Sequence, residues 1–162
     1  MEHYNHLAPV IHKYFESKGM KVLIEPHGSR GSDLEGTNGT MLIGEIKNET
    51  ELNRDLSGYW SSWNHNQQFG GKERNFQLRS ILPEGVESLS SKVKGWIAVV
   101  FGQLRYWTRK GGLSEGWLIY ENYSSYESTL SEALNFLSQH SLILNTTPEH
   151  LKNVGFIKVT YL

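Results

Sequence analysis

The chain contains no cysteine, so disulfide bonds and thiolate metal sites are excluded. It has no excess of charge of either sign: the formal net charge is −1, and any contact with a polyanion must come from a local basic patch. It also lacks an apolar run long enough to cross a bilayer, and its first residues, Met1 to His6, are polar, unlike those of a signal peptide. A cytoplasmic location without membrane contact is therefore the default expectation.

The composition is that of one globular domain. The chain has 162 residues, of which 38% are hydrophobic and 20% are charged. Aromatic residues are frequent at 12%, with five Trp and eight Tyr, and a surplus beyond the core could line a binding surface. No internal repeat or low-complexity tract divides the sequence, so we expect a single domain over residues 1–162.

The first half of the chain predicts a helix, three strands and a second helix. The first helix follows from apolar residues at helical spacing, and Asn38-Gly39 favours a hairpin turn between the second and third strands. In order, these elements are a helix over residues 6–18, strands over residues 20–25, 33–35 and 41–47, and a partial helix over residues 49–68.

The second half predicts further strands and a helix. Residues 95–101 are almost wholly apolar, as expected of a strand covered on both faces, and residues 104–108 would pair with them. Ser124 and Glu127 form a capping-box pattern at the start of a helix, and Thr147-Pro148-Glu149 predicts a short helical turn. The last predicted strands lie at residues 116–120 and 156–161. The whole order indicates a mixed α/β fold, with a central sheet and helices packed against it.

The residues that carry chemistry surround the predicted hairpin. Glu45 and Lys47 lie two apart on one strand and project from the same face, whereas Ile46 points to the core. The hairpin brings Asp33 beside Glu45. Two converging carboxylates repel each other, and a hard cation such as Mg²⁺ or Mn²⁺ relieves that repulsion through oxygen ligands. The backbone carbonyl of Ile46 is a candidate third ligand.

Lys47 would stand next to a water bound to this metal. Its ammonium group can orient the attacking water and offset the negative charge that develops on a phosphate. The metal lowers the pKa of the water and polarises the phosphoryl oxygen. These are the parts required to hydrolyse a phosphodiester bond.

The pattern of Asp33 followed twelve positions later by Glu45-Ile46-Lys47 resembles the motif of the PD-(D/E)xK nucleases, which have the restriction-endonuclease-like fold. The predicted order of helices and strands agrees over about the first half of the chain and coarsely over the second. Ser32 stands at the position of the family's Pro. The resemblance implies a central mixed β-sheet flanked by α-helices and a Mg²⁺-dependent endonuclease, a phosphodiester hydrolase with DNA as its expected substrate. Asp33 and Glu45 would hold the metal, and Lys47 would assist the water. Restriction, junction resolution, repair and mobile-element defence stay open.

A Glu-x-Lys pattern alone carries little information, because the chain has a second copy at Glu16-Ser17-Lys18. That copy lies on the polar side of the first predicted helix and lacks an upstream Asp and a hairpin. The alternative interpretation of Glu45 and Lys47 is a strand end whose exposed charges form a surface pair that adds little stability.

Three further residues are candidates for an accessory role. Some members of the family use an acid on the first helix or a Gln on the helix after the motif, which would correspond to Glu16 and Gln67. Glu35, two residues after Asp33, could bind a second metal. A solvated side chain is the alternative for each of them.

Candidate nucleic-acid contacts are Arg30, in the loop before Asp33, and Lys72 and Arg74, beside two glycines. An aromatic helical face formed by Tyr59 or Trp60 with Trp63 is more often core than a platform for stacking bases.

Two functions therefore remain open. The first is the metal-dependent nuclease, and because one small domain offers one active site, a homodimer would let it cut both strands. The second is a non-catalytic module on the same fold that binds nucleic acid or protein, which the near-neutral charge and the surplus of aromatic residues favour.

Overall fold

The computed structural model describes residues 4–64 and 78–162. Six strands form one mixed sheet in the order β1-β2-β3-β4-β6-β5, and helices flank it, as the sequence predicts for the α/β class. The strands are β1 (Val22–Ile24), β2 (Leu34–Gly36), β3 (Ile43–Lys47), β4 (Glu115–Glu121), β5 (Glu149–Leu151) and β6 (Val154–Thr160). The α-helices are α1 (Ala8–Glu16), α2 (Glu49–Asn64), α3 (Ser91–Ile97), α4 (Arg105–Lys110) and α5 (Tyr123–Gln139).

Strand β3 lies where two kinds of pairing meet. Strands β1, β2 and β3 pair antiparallel, β3 pairs parallel with β4, and β4, β6 and β5 pair antiparallel. A parallel pair needs a crossover connection, and the chain supplies one between residues 48 and 114 that includes α2, α3 and α4. The sheet therefore changes from a meander to a crossover at β3.

The predicted hairpin turn is confirmed. Thr40 N–H donates to the Thr37 carbonyl at 3.1 Å, and Asn38 and Gly39 have φ values of 54° and 84°. Positive φ at both central residues is the requirement of the tight turns that match the twist of a hairpin. The turn fixes the register so that Leu34 lies opposite Gly44.

The two faces of the sheet are covered by different helices. Helix α1 packs on one face through Ile11 and Phe15, in a core that includes Ile46 of β3. Helices α2, α3 and α5 contribute to a second core that includes Leu118 of β4. Because side chains alternate along a strand, the neighbours of Ile46 on β3 point to the opposite face.

The predicted strands at residues 95–101 and 104–108 are wrong, because this segment is helical. Helix α3 continues through a π-helical segment, Ala98–Leu104, into α4, so that residues 91–110 form one continuous helix. Almost all of the apolar run is buried in the core on the side of α2, where Gly95 lets the backbone approach Leu56 closely. A helix buried on most sides is hydrophobic all round, and its sequence then lacks the periodicity that separates it from a buried strand.

Two local predictions in the last third are also wrong. Helix α5 begins at Tyr123, after Asn122 in a left-handed conformation with φ 58°, so Ser124 lies inside the first turn rather than at the cap. The segment Thr147-Pro148-Glu149 is not a helical turn, since Glu149 begins strand β5. The predicted apolar face of α5 is confirmed: Leu130, Ala133, Leu134 and Leu137 are buried.

Within residues 4–64 and 78–162, no helix combines the length and the apolar character that a membrane crossing requires.

Candidate functional site

The end of strand β2 brings Asp33 against β3. Backbone pairing of β2 begins at Leu34, so Asp33 lies one step beyond it, beside Glu45. Asp33 N–H donates to Glu45 Oε2 at 3.0 Å, and Ile46 N–H donates to Asp33 Oδ2 at 2.9 Å. At this point side-chain oxygens, instead of backbone carbonyl oxygens, accept hydrogen bonds from the strand N–H groups. The two carboxyl groups are held together as the sequence predicts.

The two carboxyl groups lie close enough to influence each other's protonation. Burial raises the pKa of Glu45 well above its usual value, and the charge of Asp33 raises it further. Burial raises the pKa of Asp33 as well, although Lys47 and the Ile46 N–H act in the opposite direction. The arrangement therefore favours retention of a proton by the pair when no cation is bound.

Lys47 is buried on the same face as Glu45. Lys47 is 2% exposed, and Glu45, two residues earlier on the strand, is 1% exposed. Burial lowers the pKa of the ammonium group, but the Tyr59 oxygen and the nearby Glu45 and Asp33 carboxylates raise it above its usual value. The Nζ atom donates to the Tyr59 hydroxyl at 3.2 Å and lies 4.3 Å from the centre of its ring. Glu45 and Lys47 are thus no exposed surface pair.

Glu51 and Tyr4 belong to the same group, and the sequence did not single them out. Asn48 N–H donates to Glu51 Oε1 at 3.1 Å, and Glu51 N–H donates to Asn48 Oδ1 at 2.8 Å, which caps the start of α2. The buried Tyr4 hydroxyl hydrogen-bonds with Glu51, and burial together with the charges of Asp33, Glu51 and Glu45 raises its pKa. The Asn48-x-x-Glu51 capping pattern was the available signal for Glu51.

The accessory acids lie apart from the acid pair. Glu16 is exposed at the end of α1, and Glu51 rather than Glu16 is the further acid that raises the pKa of Asp33. Glu35 accepts a hydrogen bond from Ser32 Oγ at 3.3 Å and lies 3.1 Å from His27 Nε2. Both acids therefore have surroundings of their own.

The remaining candidates are placed only in part. Arg30 is exposed in a short 3₁₀ turn, Gly28–Arg30, three residues before Asp33. Trp63 is buried in the core, and Tyr59 and Trp60 pack against it. The candidates Gln67, Lys72 and Arg74 lie outside the described residues.

The donor set around Asp33 suits a hard cation better than a soft one. In the part of the chain that the structure describes, no group of three or more His, Cys, Asp and Glu side chains is arranged to hold a metal ion. Two carboxylates, with the Ile46 carbonyl as the predicted third ligand, are nevertheless a usual protein contribution for Mg²⁺, which keeps several of its waters. A cation would also take the place of the proton that the buried acid pair retains.

Comparison with models of known families, with curated proteins and with solved structures gave no match to this chain. Its function therefore has to be inferred from the residues themselves.

Proposed function

We propose that this chain is a metal-dependent endonuclease that hydrolyses phosphodiester bonds of DNA, with Asp33, Glu45 and Lys47 as its catalytic residues. The observation that carries the proposal is the meeting of two carboxyl groups with a buried ammonium group on the same face of the sheet. Such a group has a high energetic cost, because each buried charge must be compensated. Neutral amide side chains would accept hydrogen bonds from the same two backbone N–H groups without burying carboxylates.

Asp33 and Glu45 are the residues that would hold Mg²⁺ or Mn²⁺, with the carbonyl of Ile46 as a third ligand. Burial raises the pKa of both carboxyl groups, so each is destabilised as an anion until a positive charge reaches it. A bound cation of this kind supplies Lewis-acid activation of a water and of the phosphoryl oxygen.

Lys47 is positioned to act on the attacking water and on the phosphate. Its ammonium group remains charged because the Tyr59 oxygen and the carboxylates around it outweigh the effect of burial. The contact with Tyr59 at 3.2 Å limits the positions that the ammonium group can adopt. A fixed charge in a site that excludes water stabilises developing negative charge more than a mobile, solvated one does.

The order of elements supports the resemblance to the PD-(D/E)xK nucleases. A helix, a hairpin that carries the three residues, and a second helix precede further strands, as the resemblance implies. The restriction-endonuclease-like fold is accordingly part of this proposal. A homodimer, in which each subunit cuts one strand, is the form that we propose for cleavage of a duplex.

The test is cleavage of supercoiled plasmid and of single-stranded and branched DNA, in Mg²⁺, in Mn²⁺ and in EDTA. Asp33→Asn keeps an acceptor for the Ile46 N–H, and Lys47→Met keeps the buried stem, so both variants are close in shape to the native residue. We expect each to lower the cleavage rate by about 100-fold or more. Glu16→Gln, in the second Glu-x-Lys copy, is the matched control and should cut at the rate of the unaltered protein.

Metal-dependent cutting that is lost in Asp33→Asn and Lys47→Met but kept in Glu16→Gln would support the proposal. Equal cutting by all of the proteins would mean that the activity comes from a contaminant or from another site. If the folded protein cuts none of these substrates and calorimetry detects no metal binding, the non-catalytic module becomes the better hypothesis.

A further inference from the structure

The end of the continuous helix over residues 91–110 carries a concentration of positive charge. Arg105, Arg109 and Lys110 all lie in helix α4, its last segment. Burial lowers the pKa of Arg105, and the neighbouring charge of Arg109 lowers it further, so the two guanidinium groups repel each other. We call Arg105, Arg109 and Lys110 the basic turn.

Arg105 is held in place by the surrounding structure. Its Nη1 atom donates to the Leu113 carbonyl at 3.1 Å and to Thr108 Oγ1 at 3.3 Å. Its guanidinium group lies 4.7 Å from the centre of the Tyr161 ring. Arg109 is exposed, in contrast. The basic turn thus has one fixed guanidinium group, that of Arg105, and one that can reach into solvent, that of Arg109.

The end of helix α4 reaches the face of the sheet that carries Glu45. Gly111, directly after α4, abuts the side chain of Ile43, where an added Cβ would clash with Ile43 Cδ1. Ile43 lies two residues before Glu45 on β3, a separation of about 7 Å along one face. Burial raises the pKa of the Tyr161 hydroxyl, the charge of Arg105 lowers it and the charge of Glu45 raises it, so the electrostatic influence of both sites extends to this residue.

The two guanidinium groups of this turn have no acidic partner among the described residues. Among residues 4–64 and 78–162, neither Arg105 nor Arg109 forms an ion pair with an acidic side chain. Cations at a helix C-terminus do complement the helix dipole. That explanation accounts for one cation in the last turn and does not require a second guanidinium group beside it.

We propose that the basic turn binds the phosphates of a DNA strand and guides that strand to the acid pair. This inference rests on the proposed function and adds the surface that holds the substrate. The chain has a net charge of −1, so a polyanion must be attracted locally rather than by the whole molecule. Guanidinium groups suit this partner, because they bind phosphate oxygens in pairs of parallel hydrogen bonds.

The test measures binding of fluorescein-labelled duplex and single-stranded DNA in EDTA, where no cleavage is expected. Arg109→Gln removes the exposed charge. Lys92→Gln is the matched control, because Lys92 is exposed on the same helix and lies 17 residues earlier, about 25 Å away. Arg109→Lys keeps the charge and changes only the geometry. Circular dichroism confirms that each variant is folded.

We expect Arg109→Gln to weaken binding several-fold and to lower its salt dependence. For each phosphate that the variant no longer neutralises, the ratio of affinities at about 50 mM and about 200 mM salt should fall by about 3.5-fold. Lys92→Gln should leave both quantities unchanged, and Arg109→Lys should keep the salt dependence. If Arg109→Gln binds DNA as the unaltered protein does, or if Lys92→Gln weakens binding equally, the inference is overturned.

The two proposals can fail separately. If Asp33→Asn abolishes metal-dependent cleavage but Arg109→Gln binds DNA normally, the nuclease proposal stands. The proposal that the basic turn contacts DNA is then wrong. If DNA binding depends on Arg109 but the protein cuts no substrate, the proposal for the basic turn stands and the nuclease proposal is wrong.

Discussion

Replacing Glu45 by Gln should stabilise the protein when no metal is present. In the native protein Glu45 and Asp33 are neighbouring carboxyl groups, and burial raises the pKa of each. A Gln side chain has nearly the same shape. Its carbonyl oxygen can accept from the Asp33 N–H, which now donates to Glu45 Oε2 at 3.0 Å, and its amide can donate to the Asp33 carboxylate. The substitution therefore keeps the contact with the Asp33 N–H and removes an ionisable group.

The magnitude follows from the electrostatics of the pair. Two carboxylates about 4 Å apart repel by about 4 kcal/mol at an effective dielectric constant of about 20. Lys47 offsets part of this repulsion, so we expect Glu45→Gln to gain about 2 kcal/mol at about pH 8. For a chain of this size that gain corresponds to a rise in Tm of about 4–8 °C.

The gain should depend on pH. Because the pKa of Glu45 is raised in the folded state, folding takes up a proton between the unfolded and folded pKa values. The contribution of Glu45 to native stability is therefore highest below its unfolded pKa and falls as pH rises toward its folded pKa. The advantage of Glu45→Gln should be small at about pH 4 and should grow toward about pH 8.

Urea unfolding of both proteins in EDTA at several pH values measures this difference. Mg²⁺ should then raise the stability of the unaltered protein by about 2.7 kcal/mol at a hundred times its Kd, and should raise that of Glu45→Gln much less. Glu16→Gln, which removes a charge at an exposed position, is the control and should stay within about 0.5 kcal/mol at every pH. A Glu45→Gln protein that is less stable than the native one at about pH 8 would refute the reasoning, because Glu45 would then be stabilising as an anion.

Two further substitutions test the packing and the electrostatics away from the acid pair. Gly95→Ala should cost about 1–3 kcal/mol in urea unfolding, because its Cβ would lie 2.7 Å from the Leu56 carbonyl carbon; unchanged stability would mean that α2 and α3 separate easily. Tyr14→Phe should raise the pKa of Glu149 in an NMR titration, because the hydrogen bond from the Tyr14 hydroxyl holds that pKa below its usual value. Lys18 lowers the same pKa, but its hydrogen bond has the smaller effect of the two. The small stabilisation by the Tyr14 hydrogen bond is present above the unfolded pKa of Glu149 and is lost as pH falls through its folded pKa. The stability of Tyr14→Phe should therefore differ most from that of the native protein near neutral pH. A pKa of Glu149 that does not move would contradict the hydrogen bond.

The hairpin and its acid pair could be predicted because they depend on contacts that are local in sequence. Asn38-Gly39 sets a tight turn, the turn sets the register, and the register places Asp33 beside Glu45. The alternation of side chains along β3 then puts Lys47 on the same face. Each step needs fewer than fifteen consecutive residues.

The helix over residues 91–110 could not be predicted in this way. Its identity depends on α2 and α5, which pack against it and are distant in the sequence. Once a segment is buried on most sides, its residues are apolar whichever secondary structure they adopt. The places of Tyr4 and Tyr59 in the site could not be predicted either, because they depend on how α1 and α2 pack against β3. The basic turn was missed in consequence, because Arg105 and Arg109 would lie about 13 Å apart on a strand, whereas one turn of a helix makes them neighbours.

The position of β3 between a meander and a crossover has a consequence for the order of folding. The three strands that carry Asp33 and Glu45 close loops of only a few residues, whereas pairing of β3 with β4 must close a connection that runs from residue 48 to residue 114. Short loops have a lower entropic cost of closure and form earlier. The acid pair should therefore assemble before the ammonium group of Lys47 is enclosed, and changes in the crossover can alter the surroundings of Lys47 while the hairpin continues to form in the same way.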